Sequence, residues 1–406
     1  MNQLKAVGIV VEYNPFHNGH LYQINEAKKM TNADVVIAVM STSFLQRGEP
    51  AIVSKWVRTQ MALLNGIDLV VELPYIYSTQ KAETFAHGAI AILAELGVDF
   101  LNFGSESGNI QAFNHLVSFM SSQKSEFDHL VKRYMKLGYS YPKSTSEAFN
   151  QLNLQEETLP LTEPNNILGF HYVKAIDDQK APIQATTTLR RQAHYHDPTI
   201  TTNPIASATS IRKTLSDNDS IQIRHVVPKE TYQLLTTYKK TYSILHTWDD
   251  YFNLLQYKIL STPVEQLRVL YECEEGLEYR VKEKIQTAAS FSEWMQLLKT
   301  KRYTWTRLQR LATHLLTNTS KVEMEEATAT KPSYIRLLGM TKNGQTFINK
   351  TKQHRQIPLI TKLAKANGIQ AKIEERITNV YLSPLKKEQQ LAEMKQEYSR
   401  PPIMVT

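Results

Sequence analysis

A single cysteine, Cys273, stands in a chain of 406 residues. One thiol excludes an internal disulfide and any thiolate cluster for zinc or iron–sulfur binding, which fits a reducing compartment; Cys273 is expected to be buried and inert. Long hydrophobic runs are also missing. Met1 to Ala6 pass directly into a short apolar stretch, without the segment of a leader peptide or membrane span, so a cytoplasmic location and no membrane partner are expected. No internal repeat or low-complexity tract is present, and 42% hydrophobic with 21% charged residues exclude a disordered or fibrous chain. Acidic charge is in deficit, with 47 Lys and Arg against 39 Asp and Glu, a formal charge of +8. Such a surface attracts polyanions, but many basic proteins bind none.

What is present reads as two units. Ala6 to Val11 are small or β-branched and end abruptly at polar residues, as a strand buried on both faces does. A helix-length segment, Leu21 to Met30, separates it from a second strand, Asp34 to Met40, which makes a βαβ unit. The alternation continues through a strand at Leu69 to Pro74, a helix at Glu83 to Leu96 and a strand at Phe100 to Phe103. Ser125 to Leu154 reads as a polar helical insertion beside the sheet, placed to line a substrate cleft. Strand character returns at Thr186 to Arg190, and Ala208 to Lys213 looks like the first turn of a closing helix. The expected fold is α/β: a Rossmann-like domain with a parallel sheet over residues 1–223, and a mainly helical domain over 224–406. In the second unit Phe252, Leu255 and Ile259 recur at helical spacing, and a small strand is expected at Tyr334 to Gly339.

The residues that carry chemistry follow the first strand. His17-Asn18-Gly19-His20 opens a helix, where backbone N–H groups already favour a phosphate. Two imidazoles there can donate to an oxygen that gains charge as pyrophosphate leaves, and Gly19 admits a nucleotide close to the backbone. Two histidines three apart also fit surface residues or part of a metal pair. No third ligand accompanies them, and their place directly after the strand favours the nucleotide.

From Gly8 to Leu21 the chain closely resembles the bacterial tRNA(Met) cytidine acetate ligase family. Further matching segments follow in order: Gln46 to Val53, Glu72-Leu73-Pro74, Phe103 to Glu106, Pro164 to Gly169, Tyr195-His196-Asp197, Ile205 to Lys213 and Arg302 to Arg307. The resemblance implies a nucleotidyltransferase-like enzyme that activates acetate with ATP as acetyl-adenylate. It then acetylates N4 of the wobble cytidine in elongator tRNA(Met), giving N4-acetylcytidine. Carried over by position, the ATP contacts are Val7, Gly8, Ile9, Val10, Val11, Glu12, Tyr13, Asn14, Pro15, Phe16, His17, Asn18, Gly19 and His20, then Gly104, Asn165, Arg190 and Arg191. Mg2+ is expected with the ATP.

Each carried-over position has a physical reason beside a plainer one. Gly104 ends a strand where a side chain would obstruct a ligand, or is a simple turn glycine. Asn165 can read an adenine edge or a ribose hydroxyl, and Asn166 can cap a helix. Arg190 and Arg191 can neutralise phosphates or merely end a strand in solvent. Ser207, Thr209 and Arg212 form an S-x-T-x-x-R pattern similar to the second phosphate-binding signature of nucleotidyltransferases. Arg47 can hold acetate or the leaving phosphate; Thr42 and Ser43, just before it, stand where the family usually shows Gly-Asn. His194 and His196 read as structural. The catalytic set is thus His17, His20, Arg47 and Arg212. Lys301, Arg302, Tyr303, Arg307 and Arg310 mix cations with an aromatic ring, as an RNA backbone with one stacked base requires, or as a solvated helix face with core aromatics also shows. Two other functions fit the residues alone: a small-molecule adenylyltransferase, and a non-catalytic RNA-binding or assembly module. Oligomeric state is not legible.

Overall fold

The computed structural model describes residues 4–139, 141–152, 159–161, 163–190, 204–217 and 220–405. Eight strands form one sheet: β1 (Ala6–Val11), β2 (Val35–Ser41), β3 (Leu69–Leu73), β4 (Phe100–Ser105), β5 (Gln184–Leu189), β6 (Ile335–Thr341), β7 (Leu359–Ile360) and β8 (Ile403–Val405). The order is β5-β4-β1-β2-β3-β6-β7, with β8 beside β6. Strands β1 to β5 are mutually parallel, as expected for strands joined by crossover helices. The helices that matter for the site are α1 (Asn18–Thr31), α2 (Lys55–Leu64), α3 (Ala82–Leu96), α4 (Pro164–Gln179), α5 (Ala208–Ser216), α6 (Trp305–Leu316), α7 (Ile369–Tyr381) and α8 (Lys387–Ser399).

Alternate residues of β1 serve opposite faces. Val7, Ile9 and Val11 join one apolar cluster with Ile24 and Ala27 of α1. Ala6 belongs to the other cluster, which runs through α3 and on into the C-terminal helices at Trp294, Leu308 and Leu311. Cys273 lies in that second cluster, and burial pushes its thiol up to about 12, so it is inert. The insertion is helical, with elements at Lys124–Lys136 and Tyr141–Gln151, and it packs inward through Phe127 and Phe149, whose rings lie 4.8 Å apart.

The sheet crosses the boundary expected at residue 223. β6 pairs antiparallel with β3, matching Leu69 to Met340 and Val70 to Gly339, and so covers an edge that would otherwise expose unpaired backbone groups. Buried charge reinforces the junction. Lys55 at the start of α2 meets Glu72 of β3 at 2.9 Å, Glu397 of α8 at 2.6 Å and Glu374 of α7 at 3.8 Å. Arg336 of β6 pairs with Glu397 and, at 3.4 Å, with Glu72. Five buried charges from five elements thereby hold the C-terminal segments against the sheet.

Candidate functional site

The chain runs from β1 to β2 and β3 on one side, then returns to β4 and β5 on the other. Reversal of this kind opens a crevice at the carboxyl ends of the central strands, here between β1 and β4. His17 and His20 stand there. His17 caps α1, its Nδ1 accepting from the Gly19 N–H at 3.0 Å, while His20 Nδ1 accepts from the His17 N–H at 3.2 Å. Their rings stack with centroids 3.7 Å apart, and Tyr13 meets His20 edge-on. A β-carbon on Gly19 would come within 2.8 Å of the His17 ring, so the capping imidazole itself demands glycine.

Because each Nδ1 accepts a backbone N–H, each ring carries its hydrogen on Nε2 and presents a neutral donor there. Burial, then the charges of Arg190 and Arg212, push His17 down to about 3. Burial, then His17 and Arg190, hold His20 well below the ordinary histidine range. Two neutral donors with two cations nearby suit an oxygen whose negative charge grows during reaction.

Arg58 organises the loops, a role with no signal in the sequence, where it is one polar position on a helix. It is fully buried and donates to the carbonyls of Glu12, Ser41, Thr42 and Val53. The carboxyl ends of β1 and β2 are thus tied to one guanidinium. Thr42 and Ser43 are both buried in this loop, and the Ser43 carbonyl accepts from the Ala51 N–H at 2.9 Å. Arg212 ties the same loops from α5, donating to the Asn14 carbonyl at 3.0 Å and to Glu49 at 2.9 Å. Asn18 closes the arrangement by donating to the carbonyls of Pro204 and His225, which sets α1 beside the start of α5.

Other expected positions fall around this crevice. Gly104 lies at the end of β4 beside the Arg190 side chain. Asn165 donates to Glu106, whose other oxygen accepts from the Asn166 N–H, so Glu106 caps α4 and brings two separated sequence segments together. Ser207 caps α5 by accepting from the Ser210 N–H at 3.0 Å, and Thr209 is exposed on the first turn. Val7 to Val11 form β1 itself, and the buried side chains of Val7, Ile9 and Val11 are engaged in packing. Pro15 follows Asn14 through a cis peptide, and Phe16 packs against Tyr13. Arg191, His194 and His196 lie outside the described residues.

On its far side the Gln46-Arg47-Gly48 turn docks onto α6. Gln309 donates to the Arg47 carbonyl at 3.0 Å, while Thr313 at 2.8 Å and Trp248 at 3.1 Å donate to that of Gly48.

The sequence model of the HIGH nucleotidyl transferase family matches residues 4–397. A tRNA(Met) cytidine acetate ligase of Halalkalibacterium halodurans is 50% identical over 407 residues, covering 99% of this chain and 98% of the other. One from Bacillus licheniformis is 48% identical over 98% and 97% of the two chains. This chain belongs to the tRNA(Met) cytidine acetate ligase family of HIGH nucleotidyl transferases. Among solved structures, apo TmcAL of Thermotoga maritima aligns with a TM-score of 0.92 at 29% identity over 99% of this chain and all of that one. The same protein bound to alpha-thio ATP aligns at 0.90 and 28%, over 99% of this chain. The α/β nucleotidyltransferase fold with a helical C-terminal part is that of the family.

The family's expected RNA segment is unevenly available here. Lys301 and Arg302 are exposed, and Arg302 pairs with Glu275 at 3.1 Å. Arg307 lies 3.6 Å from Glu274. Arg310 is buried and pairs with Glu272 at 2.8 Å, and Tyr303 is buried beneath Arg302 and Arg307. The carboxylates of residues 272–275 thus already engage three of the four cations, which sequence spacing does not reveal. Among the described residues no helix is long and apolar enough to cross a membrane.

Proposed function

We propose that this chain is an ATP-dependent ligase that activates acetate as acetyl-adenylate and transfers the acetyl group to N4 of the wobble cytidine in elongator tRNA(Met). The observation that carries the reading is the pair of neutral Nε2–H donors, His17 and His20, set at the crevice between β1 and β4 with Arg190 and Arg212 beside them. ATP lies along Glu12 to His20, Gly104, Asn165 and Arg190, with its phosphates towards Ser207 and Thr209. An acetate oxygen attacks the α-phosphorus and the bond to pyrophosphate breaks. The two imidazoles and Arg47, Arg190 and Arg212 stabilise the departing charge; no protein nucleophile takes part. The cytidine amine then attacks the acyl carbon and AMP leaves.

Magnesium enters this reading on the nucleotide's phosphates. Among the described residues no three His, Cys, Asp or Glu stand together as ligands, so the ion would be held mainly by the phosphates themselves. The tRNA approaches along the exposed start of α6, through Lys301, Arg302 and Arg307, with Tyr303 and Arg310 supporting them from beneath.

Transfer of labelled acetate to bulk bacterial tRNA, with and without ATP, tests the proposal. ATP-dependent label that disappears in His20→Ala is expected. Absence of label from a folded, ATP-binding protein would sink the acetate assignment in favour of small-molecule adenylyl transfer.

A further inference from the structure

The acyl transfer proposed above has a chemical requirement that adenylation lacks. Acetate attacks as an anion and pyrophosphate leaves as one, so the first step moves no proton. In the second, the N4 lone pair forms a bond to the acyl carbon, the bond to AMP breaks with its electron pair, and N4 must lose a hydrogen. Some group has to receive it.

Among the described residues around the crevice, one carboxylate combines an open oxygen with the absence of an ion pair. His17 and His20 have Nδ1 committed to backbone N–H groups and their hydrogens on Nε2, so they donate only. Arginines cannot accept. Glu49 is ion-paired with Arg212 through its Oε2, and both oxygens of Glu106 are used by Asn165 and Asn166. Glu12 differs. It is the first residue beyond β1, its Oε1 accepts from the Gln46 N–H at 2.7 Å, and among the described residues its Oε2 has no hydrogen-bond donor. Its backbone carbonyl is anchored by Arg58, and the side chain is half-buried rather than sealed. A carboxylate directly beyond the end of β1, beside a site for a triphosphate, also calls for a reason, since it repels the triphosphate.

We propose that Glu12 is the proton acceptor of acyl transfer, its Oε2 taking the hydrogen from the cytidine amine and later releasing it to water. Its neighbours suit the role. Burial raises its carboxyl above the ordinary range, which makes it a stronger base, against the opposing pull of the Gln46 N–H, Arg47 and Arg212; Glu49 raises it further. Arg58 from α2 and Tyr172 from α4 also face it. The ionised form accepts, so transfer quickens as pH rises through this carboxyl's titration.

The inference rests on the acyl-transfer reading, and the test separates the two. Glu12→Gln keeps the shape and an acceptor for the Gln46 N–H. Acetate-dependent ATP–pyrophosphate exchange reports the first step; single-turnover passage of labelled acetyl to bulk bacterial tRNA reports the second. Transfer in Glu12→Gln is expected to fall at least about 100-fold more than exchange, with loss of the rise with pH seen in the unaltered protein. Transfer within about threefold of the unaltered protein, or exchange and transfer falling by one factor, would overturn the role of Glu12 while leaving the ligase reading intact. An unaltered protein that exchanges but never labels tRNA would overturn both.

Discussion

Gly48 lies so close to the backbone of Arg310 that a β-carbon on it would stand 2.6 Å from the Arg310 nitrogen. This contact joins the turn carrying Arg47 to the helix at whose start the exposed cations stand. The expected ATP-side and RNA-side segments therefore share one packed junction, so a shift of α6 is felt at the Arg47 turn.

Gly48→Ala tests that junction. The φ of +81° strains any side chain by roughly 1–2 kcal/mol, and the collision with α6 adds about 1–3 kcal/mol. Urea unfolding should show a clear loss of stability together with weaker ATP binding. An unchanged midpoint would mean that the turn and helix are not packed as described.

Acid should weaken the fold well above the carboxylate range. His17, His246 and His314 are pushed down to about 3 by burial above all, and His20 also titrates far below its unfolded value near 6.5. The unfolded chain binds more protons in that window, so stability present above about pH 6.5 is lost as pH falls, by up to ~1.4 kcal/mol per unit per histidine. Burial raises Glu12 and Glu374, the latter to about 7, and these two act in the opposite sense. Four groups outweigh two, and the urea midpoint should drop between pH 7.5 and 5.5. A midpoint that holds or rises would contradict the neutral, buried histidines.

Lys55→Met removes the cation shared by Glu72 and Glu397 and leaves Arg336 alone against both. Stranding buried carboxylates costs about 3–5 kcal/mol, so thermal unfolding should move down sharply. Should the variant match the parent, the cluster would not be holding β6 and α8 to the sheet.

Arg302→Ala and Arg310→Ala should separate RNA contact from support. The first removes an exposed cation and is expected to weaken tRNA binding several-fold, lowering the salt slope by about 1, with stability unchanged. The second leaves the part-buried Glu272 without its partner and should cost about 1–3 kcal/mol of stability. Filter binding across a salt series with parallel melts reads both; equal effects on binding and on stability would erase the distinction.

The nucleotide crevice was legible because its signals are local. Ala6 to Val11 are apolar on both faces, and His17 follows within one loop as the cap of α1, so strand, cap and donor pair occupy fifteen consecutive residues. The parallel run through β5 follows from strands alternating with helices. Local pattern is less informative for a residue whose environment comes from elsewhere. Arg58 resembles any polar helical position until four carbonyls converge on it, and the cations of the α6 segment look free until residues 272–275 fold against them.

By itself, then, the amino-acid order determined the first six strands, the helix start at His17 and the histidine pair, because hydrogen bonds between near neighbours and the periodicity of burial specify them. Tertiary structure alone decided that β6 pairs with β3, that Gln309 reaches Arg47 across 262 residues, and that Glu12 keeps an oxygen with no donor among the described residues. Those outcomes depend on which distant partners win the competition for a buried donor or acceptor, and that competition is settled only once the whole core has packed.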